Sequence, residues 1–325
     1  MDIDIINDAR DYLGPYNVDI IIYHKNCQDG MTAAACGYIY YNKHKIHVDY
    51  IGYNCNDEVD ISMFKNKRIL VVDFSFNKEN LIKIRSVCRK IMILDHHESA
   101  RKELYNVEGC YVDIRESGAT LAWKYFFPNE KIPRFVEYVK DRDIWIYKYR
   151  EYSEPMYYGI NYKLFKSFKD YVDYIEDDNK VDELIKIGKI EMNKNKEWID
   201  DITHNYKKGF INIGGIEYYI VFLELYTPYL ISEISEKLYL NHSNIDFTLC
   251  WYRDKDNTIP IFLENLGDYK IIRWLYGPQK YYVSLRTKKD HINLAEISKQ
   301  LGGGGHVKAA GAVFDVIPTK RIRYM

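Results

Sequence analysis

What the 325-residue chain lacks narrows the field first. Its six cysteines, at positions 27, 36, 55, 88, 110 and 250, form no Cys-x-x-Cys pair. The pattern reads as reduced intracellular thiols and argues against a disulfide frame or a thiolate zinc site. The apolar runs are strand-sized, far below the ~20 residues of a membrane span, so no membrane partner is expected. The opening stretch "MDIDIINDARDYLG" is acidic and polar, without the apolar core of a signal peptide, and a cytoplasmic location is expected. Charge of one sign is also missing: Lys+Arg 46 against Asp+Glu 47 leaves −1. A protein that tracks a long duplex usually carries a broad basic surface, so the balance favours short or small phosphorylated partners.

Hydrophobic residues make up 47% of the chain and charged ones 29%, the make-up of a globular protein long enough for two ordinary domains. Tyrosine is abundant, at 32 residues, and is read as half-buried wall material.

The first half alternates two periodicities. "VDIIIYH" (18–24) is a strand run, and the Ala-rich "DGMTAAACGYIYY" after it is helical. "HKIHVDYIGY" and "RILVVDFSF" (68–76) are further strands. "NKENLIKIRSVCRK" has apolar positions at 81, 82, 84 and 87, a helical spacing with Asn77 as its cap. "IMILDHH" is the fourth strand, and "SGATLAWKYFF" a helix capped by Ser117. Short apolar strands separated by helices imply a parallel sheet with helices on both faces.

In such sheets the ligand crevice lies beyond the carboxyl ends of the strands. His24 and Asp29 follow the first strand, Asp73 ends the third, and Asp95, His96 and His97 end the fourth. Side chains of this kind at one edge are a ligand set for Mn²⁺ or Mg²⁺, which favour carboxylates with some imidazole. Two such ions about 3.5–4 Å apart activate a phosphodiester, and Asp73, central in the strand order, is placed to bridge them.

From 181 to 208 a charged stretch without proline reads as a helix connecting a first domain (1–180) to a smaller α/β domain (209–325). The second domain has strands at "FINIGGIEYYIVFLEL", "DFTLCWYR" and "KYYVSLR", a helix at "INLAEISKQL", and a glycine run, "GGGGH". Glycines let backbone N–H groups approach phosphate oxygens closely, and Arg286 has a planar fork suited to phosphate.

"HKNCQDG", "VVDFS", "LDHHES", "SGATLAW", "KDRDIW" and "GGGGHVKAAG" occur in the order seen in the DHH/DHHA1 phosphoesterase superfamily, which the chain resembles over nearly its whole length. The resemblance is to compact, two-domain oligoribonuclease-type members. It implies a DHH catalytic domain with His24, Asp29, Asp73, His96 and Asp141 holding two Mn²⁺ or Mg²⁺ ions, Asp73 bridging. Asp143 competes with Asp141 for the last place. It further implies that Asp95 supports His96 while His97 faces the scissile phosphate, and that Arg286, Gly303, Gly304, Gly305 and His306 of the DHHA1 domain hold the substrate's phosphate or terminal nucleotide.

One departure stands out. Family members commonly carry two carboxylates as Asp-x-Asp in the first motif, whereas "HKNCQDG" offers one, with Gln28 or Asn26 where the other would stand. The expected activity is hydrolysis of short oligonucleotides or dinucleotides to mononucleotides. A cyclic-dinucleotide phosphodiesterase or pyrophosphatase using the same site, and a non-catalytic nucleotide-binding module, stay open as alternatives. A second copy of the chain as a partner also stays open.

Overall fold

The computed structural model describes residues 2–54, 57–226, 230–253 and 280–325. Cys55 lies outside the described residues. The chain divides into two compact units, Met1–Lys194 and Asn195–Met325.

The first unit holds one parallel sheet of β1 (Ile20–His24), β2 (Asp49–Tyr53), β3 (Arg68–Val72), β4 (Lys90–Asp95) and β5 (Cys110–Val112), in the order β2-β1-β3-β4-β5. β5 is three residues long, too short to stand out in the sequence. The central strands are apolar throughout because both faces are covered. Ile21, Leu70, Val72, Met92 and Leu94 point to one face and pack on α2 (Gln28–His44) and α5 (Gly118–Phe126). Ile20, Ile22, Ile69, Val71, Ile91 and Ile93 point to the other face and pack with Leu81 and Ile84 of α3 (Lys78–Val87) and Ala100 of α4 (Glu98–Glu103). The caps expected at Asn77 and Ser117 are present, the latter as a reciprocal capping box with Thr120.

This strand order reverses direction between β1 and β3, which makes their carboxyl ends the switch point where α/β sheets bind ligands. α1 (Asp2–Tyr12), α6 (Arg134–Asp143), α7 (Arg150–Lys163) and α8 (Lys169–Glu176) complete the unit. The helix expected as a connector at 181–208 is α9, Asp178–Thr203, and the boundary between the units falls within it.

The second unit is a mixed sheet in the order β10-β11-β9-β8-β7-β6-β12. Its strands are β6 (Lys207–Ile213), β7 (Ile216–Leu225), β8 (Phe247–Arg253), β9 (Tyr281–Arg286), β10 (Gly304–Gly305), β11 (Ala309–Phe314) and β12 (Ile322–Tyr324). The run read as a single strand is a hairpin. Gly214 and Gly215 turn it with φ of 61° and 83°, the paired left-handed geometry of a tight two-residue turn. α10 (Ile231–Asn241) and α11 (Leu294–Gln300) pack on this sheet. Among the described residues no helix is long and apolar enough to cross a membrane.

Candidate metal centre

Each strand of the switch point ends in a polar side chain, and the backbone aims it. Asp73, directly after β3, adopts φ 54° while its amide bonds Leu94 O on β4 at 3.0 Å. A left-handed, non-glycine residue is held only where its surroundings over-determine it. Here the turn points the carboxylate across the crevice. Asp73 Oδ1 lies 3.0 Å from His96 Nε2, and Oδ2 lies 3.6 Å from His24 Nδ1.

Around His96 two more carboxylates gather: Asp29 Oδ2 at 3.4 Å and Asp143 Oδ2 at 3.5 Å from Nε2. Asp29 does not cap its own helix; Cys27 stands at the N-cap of α2. Asp29 instead reaches to the start of α5, where the amides of Gly118 and Ala119 donate to its two oxygens at 2.5 and 3.0 Å. Glycine is required at 118, since a Cβ there would sit 2.3 Å from the Cβ of Asp73.

The choice between Asp141 and Asp143 is decided by helical geometry. Two residues apart on α6, they point to nearly opposite sides. Asp143 faces His96, whereas Asp141 accepts from the amides of Lys148 (2.7 Å) and Tyr149 (3.2 Å) and from Ser153 Oγ (2.6 Å). Asp141, expected as a ligand, is corrected to a residue that shapes the loop after α6. Its oxygens are spent on that loop, and Asp143 takes the place beside His96.

Asp95 is buried, and one of its oxygens lies within 4.8 Å of ligand atoms of Asp73, His96 and His97. It accepts from the amides of His96 and His97, from His97 Nδ1 at 2.7 Å, and from Ser75 Oγ. It thereby fixes the turn between β4 and α4, and with it the orientation of both histidines. His97 is the N-cap residue of α4, and its ring lies 6.2 Å from that of His24.

The first-motif departure also finds its structural answer. Gln28 turns away to donate to Asn161 Oδ1 at 3.1 Å, and Asn26 sits in a left-handed turn at φ 60°. The side chain that comes together with His24 and Asp73 is Cys27, the ligand atoms of the three lying within 4.8 Å of one another. Neither Cys27, nor Ser75, nor the Gly118–Ala119 amides figure in the sequence reading. Only Cys27 had a usable signal, its position three residues beyond His24 in the first motif.

The electrostatics suit a cation. Burial, with the charges of Asp73 and Asp143, raises Asp29 well above the ordinary carboxylate range, and burial likewise raises Asp143. Burial opposes charge on His96, but the Asp73 hydrogen bond and the charges of Asp143 and Asp29 outweigh it and raise the imidazole's pKa strongly. Burial acts against Asp73 as well, yet its ion pairing with His24 and its hydrogen bond with His96 hold it far below the ordinary range. Burial and the nearby carboxylates push the Cys27 thiol up. Asp73 Oδ2 is buried with no hydrogen-bond partner among the described residues. Three converging carboxylates, two imidazoles and a buried carboxylate oxygen without a hydrogen bond fit divalent metal. Asp73 turns one oxygen toward each imidazole.

The expected substrate groups lie in the second unit. Arg286, at the end of β9, donates to Leu285 O at 2.8 Å and Ser232 Oγ at 3.1 Å. The glycine run is an edge strand and not an open nest: Gly304 and Gly305 pair with Gly311 and Ala310, and the amides of Gly303 and His306 bond Ser298 O and Ala309 O. The amides of Gly303 and His306 are thus engaged within the unit. Glycine at 303 is explained by packing, because a Cβ would meet Gly311 O at 1.9 Å.

No family model matches the chain. Among solved structures, RecJ in complex with Mn²⁺ from Thermus thermophilus aligns with TM-score 0.52 at 9% identity, over 96% of this chain and 52% of that one. Exonuclease RecJ bound to manganese aligns with TM-score 0.51 at 10% identity, over 96% and 89% of the two chains. At these identities the likeness shows the fold: the chain shares the fold of the RecJ exonucleases. Among curated proteins, the chain is 28% identical over 320 residues to an uncharacterized protein of Acanthamoeba polyphaga mimivirus, covering 92% of this chain and 68% of that protein. It is 23% identical over 325 residues to Oligoribonuclease NrnB of Bacillus subtilis (strain 168), covering 89% and 71%.

Proposed function

We propose that the chain is a divalent-metal-dependent phosphodiesterase that hydrolyses short oligonucleotides or dinucleotides to mononucleotides. The observation that carries the reading is Asp73, whose two oxygens face two separate donor sets at the switch point of the sheet. Asp29, His96 and Asp143 would hold one ion and His24 would hold a second, with Asp73 shared between them. Bound there, Mn²⁺ or Mg²⁺ supplies Lewis acidity at the phosphodiester and an activated water. His97, its Nδ1 fixed by Asp95, is assigned to the phosphate and leaving oxygen. Arg286 and the side chain of His306 are assigned to the substrate's far end.

The short-substrate reading is supported by the near-neutral charge, because phosphate contacts dominate affinity for long nucleic acid. The naming of one relative as an oligoribonuclease supports it also. The test is to incubate the protein with Mn²⁺ and labelled dinucleotides, pentanucleotides and long RNA and DNA. Mononucleotide release that is faster on the short substrates is expected. Binding without release in any metal would overturn the catalytic reading. Turnover confined to a cyclic dinucleotide or pyrophosphate would replace the substrate.

A further inference from the structure

We infer that Cys27 is a metal ligand, and that the position formed by His24, Cys27 and Asp73 takes a borderline or soft divalent ion, such as Zn²⁺, Co²⁺ or Fe²⁺, in preference to Mg²⁺. Three observations converge on it. The ligand atoms of His24, Cys27 and Asp73 lie within 4.8 Å of one another. Asp73 Oδ2, 1% exposed as a side chain, is aimed there and takes no hydrogen bond from any described residue. Gln28, the alternative donor in the same motif, is turned away to Asn161.

The donor set is imidazole nitrogen, thiol sulfur and carboxylate oxygen. As the sulfur–metal bond forms, the thiol proton leaves to solvent, so binding releases one proton from Cys27. Thiolate ligands favour softer ions, whereas the set of Asp29, His96 and Asp143 keeps the oxygen-rich character that suits Mn²⁺ and Mg²⁺. The two positions therefore differ in the metal they prefer.

The inference rests on the metal centre proposed above and not on its substrate. The test titrates the reduced full chain with Co²⁺ and records the near-ultraviolet spectrum. A sulfur-to-cobalt charge-transfer band is expected, absent in Cys27→Ser and retained in Cys110→Ser. Zn²⁺ should displace the band, and Cys27→Ser should weaken Zn²⁺ binding at least about tenfold while Mn²⁺ binding falls less. A second measurement needs no variant: Zn²⁺ should protect Cys27 of the native chain from alkylation, read by peptide mass.

Cobalt bound without the band, a band that survives Cys27→Ser, no cobalt bound by the folded chain, or alkylation unaffected by Zn²⁺ would overturn the inference. Hydrolysis measured with Mn²⁺ on the same samples is a separate readout. The band without any cleavage sinks the proposed function and keeps this inference; cleavage without the band does the reverse.

Discussion

Asp73 Oδ1 lies 3.0 Å from His96 Nε2, with both side chains 1% exposed, while the other oxygen of the same carboxylate turns toward His24. A single side chain thus faces both histidines, and it is presented by a turn that a non-glycine residue adopts only under constraint. Asp73→Asn keeps the shape and removes the charge. It should lower metal affinity and hydrolysis together, by at least about 100-fold for a group more central than the outer partners that cost 10–100-fold. Isothermal titration with Mn²⁺ and a dinucleotide assay check it. Retained binding with retained turnover would remove Asp73 from the centre.

Asp141 and Asp143 make a paired prediction with opposite signatures. Asp141→Asn puts an amide NH₂ either against the amide of Lys148 or against the amide of Tyr149 and Ser153 Oγ, leaving donors facing each other. It should cost about 1–3 kcal/mol of stability, read by chemical denaturation. Metal-binding stoichiometry should be unchanged in the folded fraction. Asp143→Asn should not lower metal-free stability and should abolish hydrolysis. Equal losses of stability in the two variants would contradict the division of labour.

Much of this geometry could be read from the sequence, and the failures have identifiable physical causes. The strands carrying His24, Asp73 and His96 are continuous apolar runs that end abruptly in polar residues, so a parallel sheet with its crevice at that edge follows from hydrophobic pattern alone. Asp141 against Asp143 did not, because the motif marks the region and only the helical phase of α6 decides which carboxylate faces inward. Cys27 carries no Cys-x-x-Cys signature, and its place beside the centre depends on what the turns at His24 and Asp73 bring near it. The glycine run suggested a phosphate loop, yet its residues serve close backbone packing at a sheet edge, a distinction that glycine's lack of a side chain hides. The Gly214–Gly215 pair is a hairpin signal lying inside one long apolar stretch.

Gly118 supplies a test of how tightly the centre is built. Its amide donates to Asp29, and the space a Cβ would need is filled by Asp73. Gly118→Ala should therefore overpack the site, at a cost of about 1–3 kcal/mol, and weaken Mn²⁺ binding by moving Asp73 or Asp29. Leu121→Ala, in the same helix but packed in the core, should cost stability of similar order with metal affinity retained in the folded protein. Identical effects of the two on metal binding would mean that Gly118 acts only through helix stability.

Metal removal and pH form the last prediction. Asp29 and Asp143 have raised carboxyl pKa values in the metal-free protein, chiefly from burial, with neighbouring carboxylates adding to it. The folded state then holds protons that the unfolded chain, with its carboxyls at about 3.9, has released. The contribution of these two groups is thus present below the unfolded value and is lost as pH rises through their folded values. His96, also raised, acts in the same sense, losing its contribution as pH rises through its own folded value. Asp73 and Asp95, both lowered, act oppositely and lose theirs only as pH falls through their folded values in strong acid.

In EDTA, stability should therefore decline on the alkaline side of about pH 4, the unfolded carboxyl value. Mn²⁺ should offset that decline, because it is bound by the ionised carboxylates of the folded state. At 100 times its dissociation constant it should add about 2.7 kcal/mol. Asp143→Asn should flatten the EDTA profile and shrink the Mn²⁺ increment. Thermal melts from pH 4 to 8, with and without metal, provide the comparison. A native profile that Mn²⁺ leaves unchanged at every pH would show that these carboxylates do not form a cation site.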